Sequence, residues 1–299
     1  MNESKICTTL FQNSIIFLND AIKHFNSNMQ DHSVRILTVV EVQMAIELAM
    51  KYRIAEEYGS KIIFDNVPSD IDDNELEKVF TENKLTTREF ENLKNFLKGK
   101  EEFCRKLSNE FKYMEKFQLY RNKLVHLSYN FSQKELNELE DDIIHVIVYI
   151  LHTLLSGKVS ADEYRIFLYE YIEHKEYEKL LSNRKFYLAL NDILNKEYPK
   201  VYFCPICDRT LLTPHKRCVG CLIDFNNSGA FGFVSCGYCG EDMVIYDACN
   251  IDANTTLRGL CLNCKNDTMV YKCKKCSSIV NLELFDDTKC NQFHCEFEE

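Results

Sequence analysis

Hydrophobic residues recur at helical intervals over the first two thirds of the chain and then give way to short strand-like runs set between cysteine pairs. From about Thr8 to Ser27 the segment "TLFQNSIIFLNDAIKHFNS" predicts one amphipathic helix, and Asp31 offers a cap for a second that runs to about Tyr58. In that second segment, "VRILTVVEVQMAIELAMKYRI", apolar residues occupy nearly every face, which predicts a central, buried helix. Glu47 and Lys51, one turn apart on it, read as a solvent-side ion pair. Around Pro68 a loop is expected, followed by shorter helices over Glu75 to Lys84 and Thr87 to Leu97, with a break at Gly99. Two long helices follow, one from about Glu101 to Tyr129 and one, capped by Ser132, from Gln133 to Leu155. Residues 161 to 197 read as helical again. On the second long helix His145 and His152 are seven apart, opposite Ile143, Ile147, Ile150 and Leu154, so both are expected in solvent.

Cysteine usage divides the chain. Of 15 cysteines only Cys7 and Cys104 precede residue 200. The predicted organisation is therefore a helical bundle over 1–157, a helical connector over 158–199 and a small β-rich cysteine module over 200–299. No stretch of about 18 apolar residues occurs, and the start "MNESKICTTLFQNS" lacks a basic segment followed by an apolar one. Neither a membrane span nor a signal peptide is expected, and the expected location is the cytoplasm. In a reducing compartment dense Cys-x-x-Cys pairs are better explained as metal ligands than as disulfides.

The pairs are Cys204/Cys207, Cys218/Cys221, Cys236/Cys239, Cys261/Cys264 and Cys273/Cys276, with Cys290 and Cys295 last. Two such turns bring four sulfurs to one tetrahedral ion, so pairing neighbours predicts up to three closed structural zinc sites. The first takes Cys204, Cys207, Cys218 and Cys221, the second Cys236, Cys239, Cys261 and Cys264, the third Cys273, Cys276, Cys290 and Cys295. Spacing alone leaves open a crossed arrangement of pairs, His294 in place of Cys295, and iron–sulfur ligation. "FGFVSC" and "DMVIYDAC" read as strands of a zinc ribbon around the middle site, and Cys249, without an evident partner, reads as a buried thiol. "KCKK" at Lys272 to Lys275 is a small basic spot on a turn. With four thiolates and no open position, these sites point to two or three structural Zn2+ ions and away from catalytic metal.

The formal charge is −10, with 26 basic against 33 acidic groups over residues 1–199 and 10 against 13 beyond. That balance excludes a broad basic footprint for duplex DNA; any nucleic acid must be gripped locally.

One stretch, "YRNKLVHLSY" at 120–129, sits badly with a core helix. With Leu107 set at zero, Arg121 falls at about −40°, inside the apolar stripe, while Asn122 and His126 fall at about 60° and 100° on its edge. A guanidinium there must meet a carboxylate such as Glu41 or Glu47, a partner chain or a water-filled cleft. "RNKLVH" resembles the Arg-x4-6-His signature of the HEPN superfamily, over roughly residues 5 to 157, with an "ELAMK" pattern on an early helix as further likeness. The resemblance implies a metal-independent RNA-cleaving centre where two copies of the bundle meet. Arg121 and His126 would be its catalytic pair and Asn122 the residue supporting their orientation. It further implies an RNA substrate, a homodimer, products ending in 2′,3′-cyclic phosphate and 5′-hydroxyl, and a toxin or antiviral defence role restrained by a regulatory or antitoxin-like protein. Zinc ribbons would then serve RNA or partner recognition. The other reading is a non-catalytic dimerising or nucleotide-binding bundle with the ribbons as an adaptor. Tyr120 and Tyr129 either stack on bases or pack between helices.

Overall fold

The computed structural model describes residues 4–68, 70–127, 131–156, 160–253 and 255–284, with the side chains of Cys104, His126, Leu127 and Leu284 outside the description. The chain divides into two compact units, Met1–Leu190 and Asn191–Glu299. The first is helical and the second is β-rich.

Helix α1, Lys5–Phe25, buries Ile6, Leu10, Ser14, Leu18, Ala21, Ile22 and Phe25, a single stripe at spacings of three and four. The small Ser14 lets α1 approach α2 (His32–Tyr58) closely enough for its hydroxyl to donate to the Ala45 carbonyl at 2.9 Å. Asp31 caps α2 as predicted, its carboxylate accepting the amides of Ser33 and Val34. Burial on α2 reaches nearly every face, from Val39, Val42 and Ile46 to Ala49, Met50 and Ile54, so this helix is the central one. Each fully buried Leu or Ile there contributes about 1.5–3 kcal/mol. Its buried arginines reach backbone carbonyls: Arg35 donates to those of Met29 and Gln30, and Arg53 to that of Leu154 at 2.7 Å.

Lys51 corrects the expected solvent-side pair. The ion pair with Glu47 forms, at 2.6 Å, but Lys51 is only 6 % exposed and also donates to Thr87 Oγ1 at 3.0 Å. The cover comes from Thr87, in the segment between α3 (Asp73–Thr81) and α4 (Phe90–Lys98), which forms an antiparallel bridge with Phe64 before α3.

Neither of the two long helices is regular α-helix throughout. The first breaks at Ser108–Glu110 into α5, Glu101–Leu107, and α6, Phe111–Leu127. The second begins as α7, Gln133–His145, with Ser132 and Glu135 forming a reciprocal capping box. It then widens into a π-helical segment, Val146–Leu151, before α8, His152–Ser156. A π turn inserts an extra residue and so rotates everything beyond it by about 100° relative to an unbroken helix. That rotation overturns the solvent placement of His152, which is 4 % exposed against the rings of Tyr164 and Phe167. Burial holds its imidazole down at about 4. His145 is half-buried and stacked on Tyr113. Helices α9 (Ala161–Tyr171) and α10 (His174–Ser182) pack on this unit: Asn19 joins Tyr171 and Glu173, and Asn26 joins Glu176. Helix α11 spans Arg184–Glu197. Among the described residues no single helix is long and apolar enough to cross a membrane.

In the second unit a hairpin, β1 (Tyr202–Cys204) and β2 (Arg209–Leu212), precedes a five-stranded antiparallel meander. Its strands are β3 (Phe231–Val234), β4 (Val244–Asp247), β5 (Thr256–Cys261), β6 (Asp267–Lys272) and β7 (Ile279–Asn281). The strand-like runs flanking Cys236 are thus β3 and β4. Gly232 faces Tyr246 across the β3–β4 pair, and a Cβ there would lie 2.0 Å from the tyrosine ring, so only glycine lets that ring cover the strand. One core gathers Val244, Tyr246, Ile251 and Val270 around Cys236 and Cys261. Asn281, buried, accepts from Thr268 at 2.6 Å and donates to the Ser235 carbonyl, tying β7 to the turn before Cys236.

Candidate metal centres and the Arg121 face of helix α6

Every Cys-x-x-Cys pair ends in the same local geometry. The residue after the second cysteine, namely Asp208, Leu222, Gly240, Lys265 and Ser277, has φ between 59° and 75°. In four of the five turns its amide donates to the carbonyl of the first cysteine: Asp208 to Cys204, Gly240 to Cys236, Lys265 to Cys261 and Ser277 to Cys273, at 2.9–3.0 Å. This tight turn aims both sulfurs to one side. Only Gly240 adopts the left-handed region without steric cost; at the other positions it costs about 1–2 kcal/mol. The same strained point recurs after every pair, and a metal ion shared by two such turns would hold it in place.

Two pairs of turns meet. Cys204, Cys207, Cys218 and Cys221 form one cluster, and Cys236, Cys239, Cys261 and Cys264 a second, with all four sulfurs of each within 4.8 Å of one another. The sequential pairing holds for both and the crossed one does not. Sulfur separations are 3.6 Å for Cys204–Cys221, 3.7 Å for Cys207–Cys218, 3.7 Å for Cys236–Cys264 and 3.6 Å for Cys239–Cys261. Four thiolates at about 2.3 Å from a tetrahedral Zn2+ are about 3.8 Å apart, so both clusters fit that ion. Together they could hold two zinc ions, each with four protein ligands and no open position.

Surrounding groups differ between the sites. Around the first, the backbone closes in: a Cβ on Gly220 would lie 3.0 Å from the Cys207 sulfur, and the Cys221 amide donates to the Cys218 sulfur at 3.5 Å. At the second, Asn263 Nδ2 donates to the Cys239 sulfur at 3.3 Å. Burial acts to raise the Cys239 thiol, but the hydrogen bonds from Asn263 and the Glu241 backbone outweigh it and hold the group at about 7. Cys273 and Cys276 lie on the fifth turn; Cys290, His294 and Cys295, expected to complete a third site with them, lie outside the described residues. Cys249 corrects the expectation of a buried thiol: it is exposed, beside an Asp247 carboxylate that accepts from its amide. In the basic spot, Lys272 turns inward to the Ile251 carbonyl, leaving Lys274 and Lys275 exposed.

In the helical unit, α6 carries Arg121 and Asn122, both exposed and joined by a 3.4 Å hydrogen bond from Arg121 Nη1 to Asn122 Oδ1. Arg121 therefore does not sit in the covered stripe. The wheel referred to Leu107 fails for two reasons. The break at Ser108–Glu110 resets the phase, and the buried positions Phe111, Met114 and Phe117 step by three, which winds the covered strip about −60° per step across the helix. By Tyr120 and Leu124 the strip has rotated past Arg121. Neither acid offered as an internal partner meets it: Glu41 pairs with His24 at 2.8 Å and Glu47 with Lys51. Among the described residues no carboxylate forms an ion pair with Arg121. Two large apolar side chains of α6 are exposed nearby: Val125, at 46 %, is four residues beyond Arg121 and on its side, and Leu119, at 60 %, is three before Asn122 and flanks it on the other side. His126 belongs to α6 through its backbone, four residues beyond Asn122; its side chain and Tyr129 lie outside the described residues.

Opposite that face lies an anchor not anticipated from sequence. Asp142 of α7, buried, accepts from Tyr120 Oη at 2.7 Å and from Lys116 Nζ at 3.1 Å. Burial and this carboxylate push the Tyr120 hydroxyl well above its ordinary range. Tyr120 packs edge-on against Phe117 and Phe131, so it sits between helices rather than awaiting a base. No protein-family profile, curated protein or solved structure matches this chain.

Proposed function

We propose that the chain is a metal-independent endoribonuclease of the HEPN type, with Arg121 and His126 as the catalytic pair and Asn122 orienting them across the seam of a homodimer. The observation that carries this reading is the exposed side of α6, where Arg121, with no carboxylate partner among the described residues, is hydrogen-bonded to Asn122 and lies one turn from the exposed Val125, with the exposed Leu119 on the far side of Asn122. A guanidinium whose partner among the described residues is a neutral amide keeps its forked donors available for two phosphate oxygens. RNA brings its own nucleophile, the 2′-hydroxyl, so cleavage needs proton transfer and charge stabilisation, which histidine and arginine supply near neutral pH. A second copy seated on Leu119 and Val125 would cover apolar surface and bring the second histidine that a separate acid and base require. Each four-cysteine site would fill every coordination position of a bound Zn2+ with a protein sulfur, which suits ribbons that recognise RNA or a partner and take no part in the chemistry.

A non-catalytic dimerising or nucleotide-binding adaptor is the second reading, and the acid excess in both parts of the chain favours it, since a −10 protein attracts RNA weakly. The zinc-loaded chain, incubated with RNA in buffer without added magnesium, separates the two. Cleavage leaving 2′,3′-cyclic phosphate and 5′-hydroxyl ends is expected, and is lost in Arg121→Ala and His126→Ala while the oligomeric state is kept. Equal cutting by both variants refutes the assignment, and RNA bound but left intact by the wild type selects the adaptor.

A further inference from the structure

We infer that the second four-cysteine site, and not the first, is an oxidation site for hydroperoxides, with Cys239 as the entry point and Cys261 as its resolving partner. The two sites have the same ligands and nearly the same sulfur spacing, but they differ in depth. Cys204 and Cys218 of the first are buried, Cys207 and Cys221 are half-buried, and the Gly220 backbone presses against the Cys207 sulfur. In the second, Cys236 and Cys261 are buried, yet Cys239 is exposed, on a turn whose neighbours Gly237, Tyr238 and Gly240 are exposed as well. The polar groups over its sulfur are the Asn263 amide, at 3.3 Å, and the Glu241 backbone. A zinc-bound thiolate keeps nucleophilic lone pairs, and access then decides which one an electrophilic oxygen reaches.

The chemistry balances with the peroxide as the only oxidant. The Cys239 sulfur attacks the terminal oxygen of ROOH, the O–O bond breaks, and the departing alkoxide takes a solvent proton to become ROH, leaving Cys239 as a sulfenic acid. The Cys261 sulfur, 3.6 Å away, attacks that sulfur and expels hydroxide, which is protonated to water as the disulfide forms. Two thiolates have given two electrons to the peroxide. Zn2+, left with Cys236 and Cys264, is no longer held by a closed tetrahedron and dissociates. Because Cys236 and Cys261 are also core residues beneath Val244 and Tyr246, losing this ion loosens the meander itself.

The test uses the full zinc-loaded chain, titrated with hydrogen peroxide while released zinc is followed with a chromophoric chelator and cysteine states by differential alkylation and mass spectrometry. The first zinc equivalent released should coincide with a Cys239–Cys261 disulfide, with Cys204, Cys207, Cys218 and Cys221 still ligated. Asn263→Ala, which uncovers the Cys239 sulfur and leaves all ligands in place, should speed release. Cys249→Ser, which removes the exposed thiol outside both sites, should leave the rate unchanged. Oxidation that starts at the first site or at Cys273 and Cys276, a first disulfide between any other pair, or a rate unaltered by Asn263→Ala overturns the inference.

Discussion

His152 makes the helical unit sensitive to mild acid by an amount that can be worked out. The imidazole is 4 % exposed, its Nε2 lies 3.0 Å from Ser156 Oγ, and the rings of Tyr164 and Phe167 enclose it. Desolvation disfavours the charged form and lowers its pKa from an ordinary 6.5 to about 4. Below the ordinary value the unfolded chain takes up a proton that the folded chain refuses, so stability is complete above about pH 6.5 and declines as pH falls toward 4. The full difference is about 3 kcal/mol, of which about 2 kcal/mol is already lost at pH 5. His152→Leu removes the titrating group while keeping an apolar side chain of similar bulk, and Ser156 Oγ retains its bond to the carbonyl of residue 152. Urea unfolding followed by helical circular dichroism at pH 7 and pH 5 should show the wild type losing about 2 kcal/mol more than the variant. Taking the difference between the two proteins cancels acid effects on the cysteine sites, which both share. Parallel pH dependence would refute the reasoning, because it would mean that the imidazole charges as easily folded as unfolded.

The buried pair on α2 should respond asymmetrically: Glu47→Ala leaves the Lys51 ammonium with Thr87 alone and should cost about 2–3 kcal/mol, whereas Lys51→Met, which leaves a partly hydrated carboxylate, should cost less than half of that in the same assay. Equal losses would show that Lys51 is effectively solvated. Removing zinc with excess chelator should abolish the meander's near-ultraviolet signal and its amide protection while the helical signal persists; a β unit that survives metal-free would mean that its apolar core suffices without ligands.

Where the chain carried a local signal, sequence and structure agree. Asp31 and Ser132 start the helices they were expected to start, and the cysteine spacing specifies both four-cysteine clusters, because a cap or a Cys-x-x-Cys turn is completed within a few residues. What failed depended on helical phase carried over a distance. A wheel assumes an unbroken 3.6-residue period, and the break at Ser108–Glu110 and the π turn at Val146–Leu151 each violate it without glycine or proline to announce them. His152 is misplaced in this way, and Arg121 because the buried strip of α6 winds around the helix by steps of three residues. Lys51 was misjudged for a different reason: what covers it, Thr87, is 36 residues away in sequence. The left-handed residues after each cysteine pair were equally hidden, since Asp208, Leu222, Lys265 and Ser277 are not residues that advertise positive φ as a set.

The rotation of α6 about its own axis is the variable on which the open face depends, and the chain sets it from both flanks. On one flank Asp142 gathers Lys116 and Tyr120, which are four apart and so lie on the same side. On the other, Arg121 and Asn122 are about 100° and 200° further round than Tyr120. Turning the helix by one residue in the sense that would cover Leu119 would bring Glu115 and Leu119 to the flank that faces Asp142, while pulling the Tyr120 hydroxyl and the Lys116 ammonium off a buried carboxylate. An unpaired carboxylate at that depth costs several kcal/mol, more than the apolar exposure of Leu119 and Val125 would return. Exposure of those two side chains is therefore the lesser penalty in a helix held by its polar anchor, and it leaves Arg121 and Asn122 facing outward together.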